Sequence, residues 1–355
     1  MNILPHVSGT RPRLACEILP QGVVAGRSSD TNGALEAVSH VVLTRGAVAP
    51  GLKPGNLPDR VAVVTAIRDV LQQIGERPNA REGNLTLIVP DAAVRVLLLE
   101  FEALPSRISE ALPLVRFRLK KLLPFDADEA MVSYQTMSSG KAGVRVLAVA
   151  IPRDVLSEYE TAVREAGYEP GAVLPSTLAC LAALPTADPV LLVNASPLGV
   201  TAAIVRAGIV MLHRSVDLQG HAPHDDLSPA GDGYGAANAV AHTAPSEAGV
   251  EEKSTVGSLS AFSLEPTSIE NEIAQSVSVA AAYFEDTLAA PPTEVLSAGP
   301  LGAERLSEIL NSLGVEYEGG WKVRELAENA VLLPGAASSS VPRSYVAGVL
   351  GAVRS

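Results

Sequence analysis

Residues suited to chemistry are few and scattered in this 355-residue chain. His221, His224, Asp225 and Asp226 bring metal-ligand types together, a set that binds a cation only where a rigid element holds it. Ser176 and Ser196 carry hydroxyls that could act as nucleophiles. Neither stands in a nucleophile elbow, and no histidine is placed to serve either. Cys16 and Cys180 are the only cysteines, too few for a disulfide framework or a metal-ligand set. They point to a reducing compartment. Cys180, between Ala179 and Leu181, reads as a helix core position. Arg116, Arg118, Lys120 and Lys121 form a basic cluster that could meet anionic headgroups or an acidic partner, or be a solvated helix face. Trp321, after Gly319-Gly320, reads as a packed loop residue.

The elements that must position these residues alternate between strand and helix. Leu14–Ile18 and Val23–Arg27 predict a hairpin around Leu19-Pro20-Gln21-Gly22, and Val41–Leu43 a short strand. Gly46–Pro58 reads as loop. Asp59–Ile74 is an amphipathic helix closed by Gly75. Strands follow at Leu85–Val89 and Val94–Leu99. A helix then runs from a Ser106 N-cap to about Leu122, with Pro113 kinking or delaying it. Two strands, Ala130–Met137 and Val144–Ile151, precede a helix at Asp154–Ala166. Further strands are expected at Val190–Val193, Val200–Val205 and Val210–Arg214. Thr267 and Glu270 form a capping box before a helical face from Ile269 to Leu288. A strand at Glu294–Leu296, a helix at Ala303–Leu313 closed by Gly314, and a last helix from Arg343 to Arg354 complete the series.

Composition narrows the function classes. The net charge of −12 disfavours nucleic acid as a partner. Between Leu218 and Ser268 no apolar period is sustained, and seven acids face one lysine. Such a segment buries too little apolar surface to offset its ordering entropy, so 218–266 is expected to be a disordered insert. The apolar stretch Val190–Leu212 is interrupted by Asn194, Pro197, Gly199, Arg206 and Gly208, which describes strands rather than a bilayer helix. No basic region followed by an apolar core opens the chain, so no signal peptide is expected.

Glu102-Ala103-Leu104-Pro105, then Ala111, Arg116 and Leu123-Pro124-Phe125, resemble the "ALP…LPF" helix of the type IV pilus assembly protein PilM family. Pro152-Arg153, Tyr159, Ala166-Gly167, Glu169-Pro170 and Leu174-Pro175-Ser176 continue in that family's order. Ser344 to Ala352 resembles its closing helix. The resemblance implies an α/β, actin-like (ribonuclease H-like) two-domain fold with an inter-domain cleft and a long low-complexity insert. The first domain would cover 11–185, with an inserted subdomain at about 94–152. The second would cover 186–217 and 267–355, and a PilN-like tail would occupy 1–10. The resemblance also implies a cytoplasmic location at the inner membrane and, as partner, the tail of PilN, a single-span membrane protein.

The same resemblance locates a nucleotide site that has lost its parts. An actin-like ATP site needs glycine hairpins at the phosphates and acids that hold Mg²⁺. Where relatives read D-x-G-S-x-S, this chain has Glu17-Ile18-Leu19-Pro20-Gln21-Gly22. Asn194, Ser196 and Thr201 stand where relatives read D-I-G-x-x-x-T. Gly299 and Gly302 remain of the adenosine turn. The cofactor expected is therefore none, with ATP and Mg²⁺ as the alternative.

The expected function is a non-enzymatic scaffold of a pilus or secretion platform, with no metal site and no catalytic residues. Its partner-binding residues would be Leu104, Arg116, Leu123 and Phe125. Asn2, Leu4 and Pro5 resemble the I-N-L-L-P tail of PilN, and could occupy the same groove. Two alternatives stay open: an actin-like ATPase with atypical phosphate loops, and the cytoplasmic domain of a type II secretion platform protein.

Overall fold

Hydrophobic runs of β-branched residues dictate most of the strands. A computed structural model describes residues 12–28, 34–77, 84–141, 143–184, 188–218, 268–312, 320–328 and 341–354. The capping residue Thr267, the insert at 219–266, Gly314 and the first eleven residues lie outside the described residues.

Two five-stranded sheets share one plan. In the first, β1 (Leu14–Leu19), β2 (Gly22–Ser28) and β3 (Leu35–Val42) form an antiparallel meander, and β4 (Asn84–Val89) and β8 (Glu169–Pro175) extend it in parallel from β1. The second repeats this order with β9 (Val190–Ser196), β10 (Gly199–Arg206), β11 (Ile209–Asp217), β12 (Val295–Ala298) and β13 (Val323–Glu325). A third, antiparallel sheet of β5 (Arg95–Phe101), β7 (Gly143–Pro152) and β6 (Ala130–Gly140) is inserted between β4 and β8.

Each helix covers a face that would otherwise be wet. α1 (Arg60–Gln73), capped by Asp59 accepting from the Ala62 N–H at 3.0 Å, lies on β2 and β3. α3 (Arg153–Glu165) packs against α1 and β8. α5 (Ser268–Leu288) and α6 (Ala303–Ser312) cover one face of the second sheet, meeting Leu191, Val193, Ala202 and Ile204. The alternate residues Leu192, Ala203 and Leu296 face the core of the first sheet. The helices α4 (Ser176–Leu181) and α7 (Ala347–Ala352) pair in that shared core. α4 touches strands of both sheets, and α7 lies on β1, β2 and β4. Trp321 is buried in the second core, as expected of a packed residue.

Several expectations are corrected. β3 spans eight residues rather than three. β8 and β13 are strands that propensity did not suggest, β8 because Pro170, Gly171 and Pro175 argue against one; as outermost strands both pair on a single side. α2 (Ile108–Leu119) starts after Arg107, so Ser106 is not its cap, and it runs through Pro113. The closing helix is split into a 3₁₀ turn, Arg343–Tyr345, and α7. Tyr345 anchors that turn with its ring 4.4 Å from that of His40. The Gly-Pro loop near residue 50 is pinned by buried Asn56, whose Oδ1 accepts from the Gly51 N–H at 2.7 Å and the Tyr159 hydroxyl at 3.2 Å.

The α4–α7 contact leaves no room for side chains at its centre. A Cβ on Gly351 would overlap the Ala179 carbonyl. The change Gly351→Ala should therefore destabilise the chain by about 3 kcal/mol, as overpacking against backbone does. A urea titration of the two proteins checks this, and an unchanged midpoint would contradict the packing.

Candidate functional site

Five of the seven residues proposed for a nucleotide site converge where the two sheets face each other, and hydrogen bonds join two of them, Glu17 and Asn194, through Ser176. Glu17 on β1 is 3% exposed and accepts from the Ser176 hydroxyl at 2.6 Å. Asn194 on β9 donates from Nδ2 toward Ser176 Oγ (3.1 Å), Thr177 Oγ1 (3.0 Å) and Asp91 Oδ2 (3.3 Å). Asp91, just after β4, also accepts from the Thr177 N–H at 3.0 Å and from the Thr177 hydroxyl. A continuous chain of hydrogen bonds thus crosses from the first sheet through the start of α4 to the second. Asp91, Ser176 and Thr177 had no role in the motif reading. A lone acid after a proline carries no signature, and Ser176 entered only as a possible nucleophile and as part of the Leu174-Pro175-Ser176 resemblance.

The remaining residues divide between the cleft and its supports. Ser196 closes the β9–β10 hairpin, bonding the Gly199 carbonyl at 3.3 Å and accepting from Leu198 N–H at 3.2 Å. Thr201 pairs with the Ser215 hydroxyl at 2.9 Å. Gly299 has φ 86°, and a Cβ there would overlap Asn194 and the Ala195 carbonyl, so the turn rests directly on the carboxamide. Gly302 lies away from the cleft, beside Glu325, whose Oε1 accepts the Ala303 N–H of α6 at 2.6 Å. Gly22 also lies elsewhere: a Cβ there would strike the Val41 carbonyl and the His40 ring, so it serves cross-strand packing.

What space is left is a cleft of about 70 Å³, lined by Asp91, Arg95, Asn194, Ser196, Thr201 and Asp217. Small-molecule sites span roughly 300–1,000 Å³. Pro20, Pro50, Pro90 and Pro300 stand around it, four rim positions that offer no backbone N–H. Glu17 is not among the lining residues. Burial, with Asp91 nearby, pushes its pKa up to about 7, while the Ser176 hydrogen bond works the other way. Burial likewise pushes both thiols, Cys16 and Cys180, well above their ordinary range, which suits core positions. Among the described residues no group of three or more His, Cys, Asp or Glu side chains is placed to hold a metal ion. The His221–Asp226 set lies outside them.

No family model matches the chain, and no curated protein sequence matches it. Among solved structures it resembles a PilM-PilN type IV pilus biogenesis complex, with a TM-score of 0.66 and 16% identity over 96% of this chain and 98% of that one. The fold is actin-like. Looser likenesses are the cytoplasmic domain of EpsL, an inner membrane component of the type II secretion system of Vibrio cholerae (TM-score 0.38, 13% identity, 58% of this chain and 71% of that one), and a Bacteroides thetaiotaomicron protein with an actin-like ATPase fold (0.45, 7%, 88% and 90%). In this actin-like chain, the β1–β2 and β9–β10 hairpins that face the cleft have Pro20 and Pro197 in their turns.

The residues expected to bind a partner lie on and around α2, and most of them face inward. Leu104, Leu123 and Phe125 are half-buried against the third sheet. Arg116 ties α2 down, donating from Nη1 to the carbonyls of Ala127 (2.5 Å) and Ala130 (3.1 Å). Two surface depressions flank the helix. One, of about 490 Å³, is lined by Pro54, Phe125, Asp126, Asp128, Glu129, Pro152, Arg153 and Asp154. The other, of about 390 Å³, is lined by Ile108, Leu112, Pro113, Arg116, Phe117, Lys120 and Asp128. Asn2, Leu4 and Pro5 lie outside the described residues. No described helix is long and apolar enough to cross a membrane.

The buried acid sets a pH dependence. A carboxyl whose folded pKa is raised is best accommodated protonated. Its contribution is full below its ordinary value of 4.5 and is lost as pH rises to about 7. The loss is about 3 kcal/mol at that shift. Urea titrations at pH 4.5 and pH 8 should show Glu17→Gln gaining stability relative to the parent at the higher pH. An equal difference at both would contradict a buried, titrating Glu17.

Proposed function

We propose that this protein is a non-enzymatic scaffold of a type IV pilus or related secretion platform. It works at the cytoplasmic face of the inner membrane and docks the tail of a PilN-like single-span membrane protein. The observation that carries this reading is the likeness in fold to a PilM-PilN complex over nearly the whole of both chains. The cleft supports the scaffold over the ATPase. Its carboxamide and Asp91 are spent on each other and on Ser176 and Thr177, its acid Glu17 is sealed behind them, and four prolines on its rim offer no backbone N–H. These residues do not fit a magnesium nucleotide, and no step is assigned to one.

The depression at Phe125 is the place for the tail. It presents one half-buried aromatic ring and two prolines beside Asp126, Asp128, Glu129 and Asp154. Short cytoplasmic segments next to a membrane span carry an excess of Lys and Arg, so charge complements charge there. The ATP-binding reading rests on the retained left-handed turn at Gly299 and on Asp91 at the rim.

Calorimetry with Mg-ATP up to millimolar concentration separates the two. No heat of binding is expected, and micromolar binding would replace the scaffold reading with a nucleotide-gated one. Fluorescence anisotropy with a labelled I-N-L-L-P peptide followed by basic residues tests the docking. Phe125→Ala and the exposed Arg153→Glu should each change its affinity at least about tenfold, the first downward and the second upward. Unchanged affinity in both would move the site elsewhere.

A further inference from the structure

The solvent face of α2 is the apolar surface that the scaffold reading leaves unused. Ile108 is 70% exposed and Phe117 66%, and Leu114 and Leu122 are also in water. Monomeric surfaces scatter single apolar residues, but Leu114, Phe117 and Leu122 lie close together on the last turns of one short helix and its exit. Leu104, Leu123 and Phe125, expected to bind a partner, are half-buried against the third sheet, and Phe125 opens onto the neighbouring depression, so this face is left to a different contact.

Its charge says what kind. Arg118 and Lys121 are exposed next to Phe117, with the Lys121 ammonium 5.8 Å from that ring, and Arg107 is exposed at the other end of the helix. The acids nearby are engaged or displaced. Glu110 pairs with Arg107 at 3.6 Å and Asp128 with Lys120 at 2.5 Å, while Asp126 and Glu129 line the neighbouring depression. In a chain of net charge −12, a basic rim around exposed apolar side chains is a local reversal. An aromatic and aliphatic centre ringed by Lys and Arg is the pattern of an interfacial helix. The apolar groups enter the boundary between headgroups and acyl chains, and the cations meet lipid phosphates. Asp128 borders both depressions, so this face adjoins the one given to the membrane partner's tail.

We propose that the exposed face of α2 and its exit, centred on Phe117 with Leu114, Arg118, Lys121 and Leu122, seats this protein directly on anionic phospholipid. The contact is independent of any protein partner.

Sedimentation of the full chain with vesicles tests this without a partner present. Vesicles of equal parts phosphatidylglycerol and phosphatidylcholine should carry the protein down, and pure phosphatidylcholine should not. Raising the salt should release it, because the cations are exposed. Replacing Arg118 or Lys121 with Ala should weaken partitioning about fivefold each. Phe117→Ser should weaken it further, whereas Val61→Ser, at an equally exposed apolar residue on α1, should change nothing. All four side chains are in solvent, so the variants fold, which circular dichroism verifies. Failure to bind the anionic vesicles, or equal loss with Val61→Ser, overturns the proposal. So does a dimer in analytical ultracentrifugation that Phe117→Ser dissolves, since the face would then be covered by a second copy.

Discussion

A carboxyl group almost wholly withdrawn from water fixes the centre of this molecule. Glu17 is enclosed by β1, by the α7 backbone at Gly348 and by the Ser176 hydroxyl, and a Cβ on Gly348 would overlap it. Burying such a group is costly unless hydrogen bonds satisfy it. Those bonds draw in the start of α4, and α4 in turn holds Asn194 and Asp91. The two sheets are therefore joined by polar groups with few alternative partners, in addition to the apolar contacts of the α4–α7 pair. Fully satisfied polar networks of this kind specify one arrangement, where apolar contact alone would allow several.

Much of the fold was legible because buried strands announce themselves. Runs such as Leu14–Leu19 and Val190–Ser196 are mostly apolar, interrupted by the polar residues of the cleft, and the helices of the first unit carry clear stops at Gly75 and Gly167, both at positive φ. What escaped had local signals pointing the other way. β8 opens Glu-Pro-Gly, and only its pairing with β4 makes it a strand. The cleft was legible in place but not in content. Glu17, Asn194 and Gly299 were expected together as remnants of a phosphate site, yet what unites them is Ser176, Thr177 and Asp91, which no spacing rule connects to them. Around α2 the burial of the expected partner residues was not legible in the sequence. Leu104, Leu123 and Phe125 flank prolines, outside the helical period that would have shown which way they face.

The surfaces sort by charge as the interior sorts by polarity. The depression at Phe125 is acidic and the face of α2 is basic, though both belong to the small inserted sheet and its helix. The inserted sheet shares the core of the first large sheet through Val96, Leu147 and Ile151, whereas the buried face of α2 packs in a cluster of its own.

The repeated strand order has one further consequence. Glu17 lies two residues before the end of β1, and Asn194 two residues before the end of β9, each ahead of the corresponding hairpin turn. The hydrogen-bonded chain therefore joins equivalent positions of two halves that share one strand order, with Ser176 as the bridge between them. A change of charge or length at one of these positions alters what Ser176 must reach at the other.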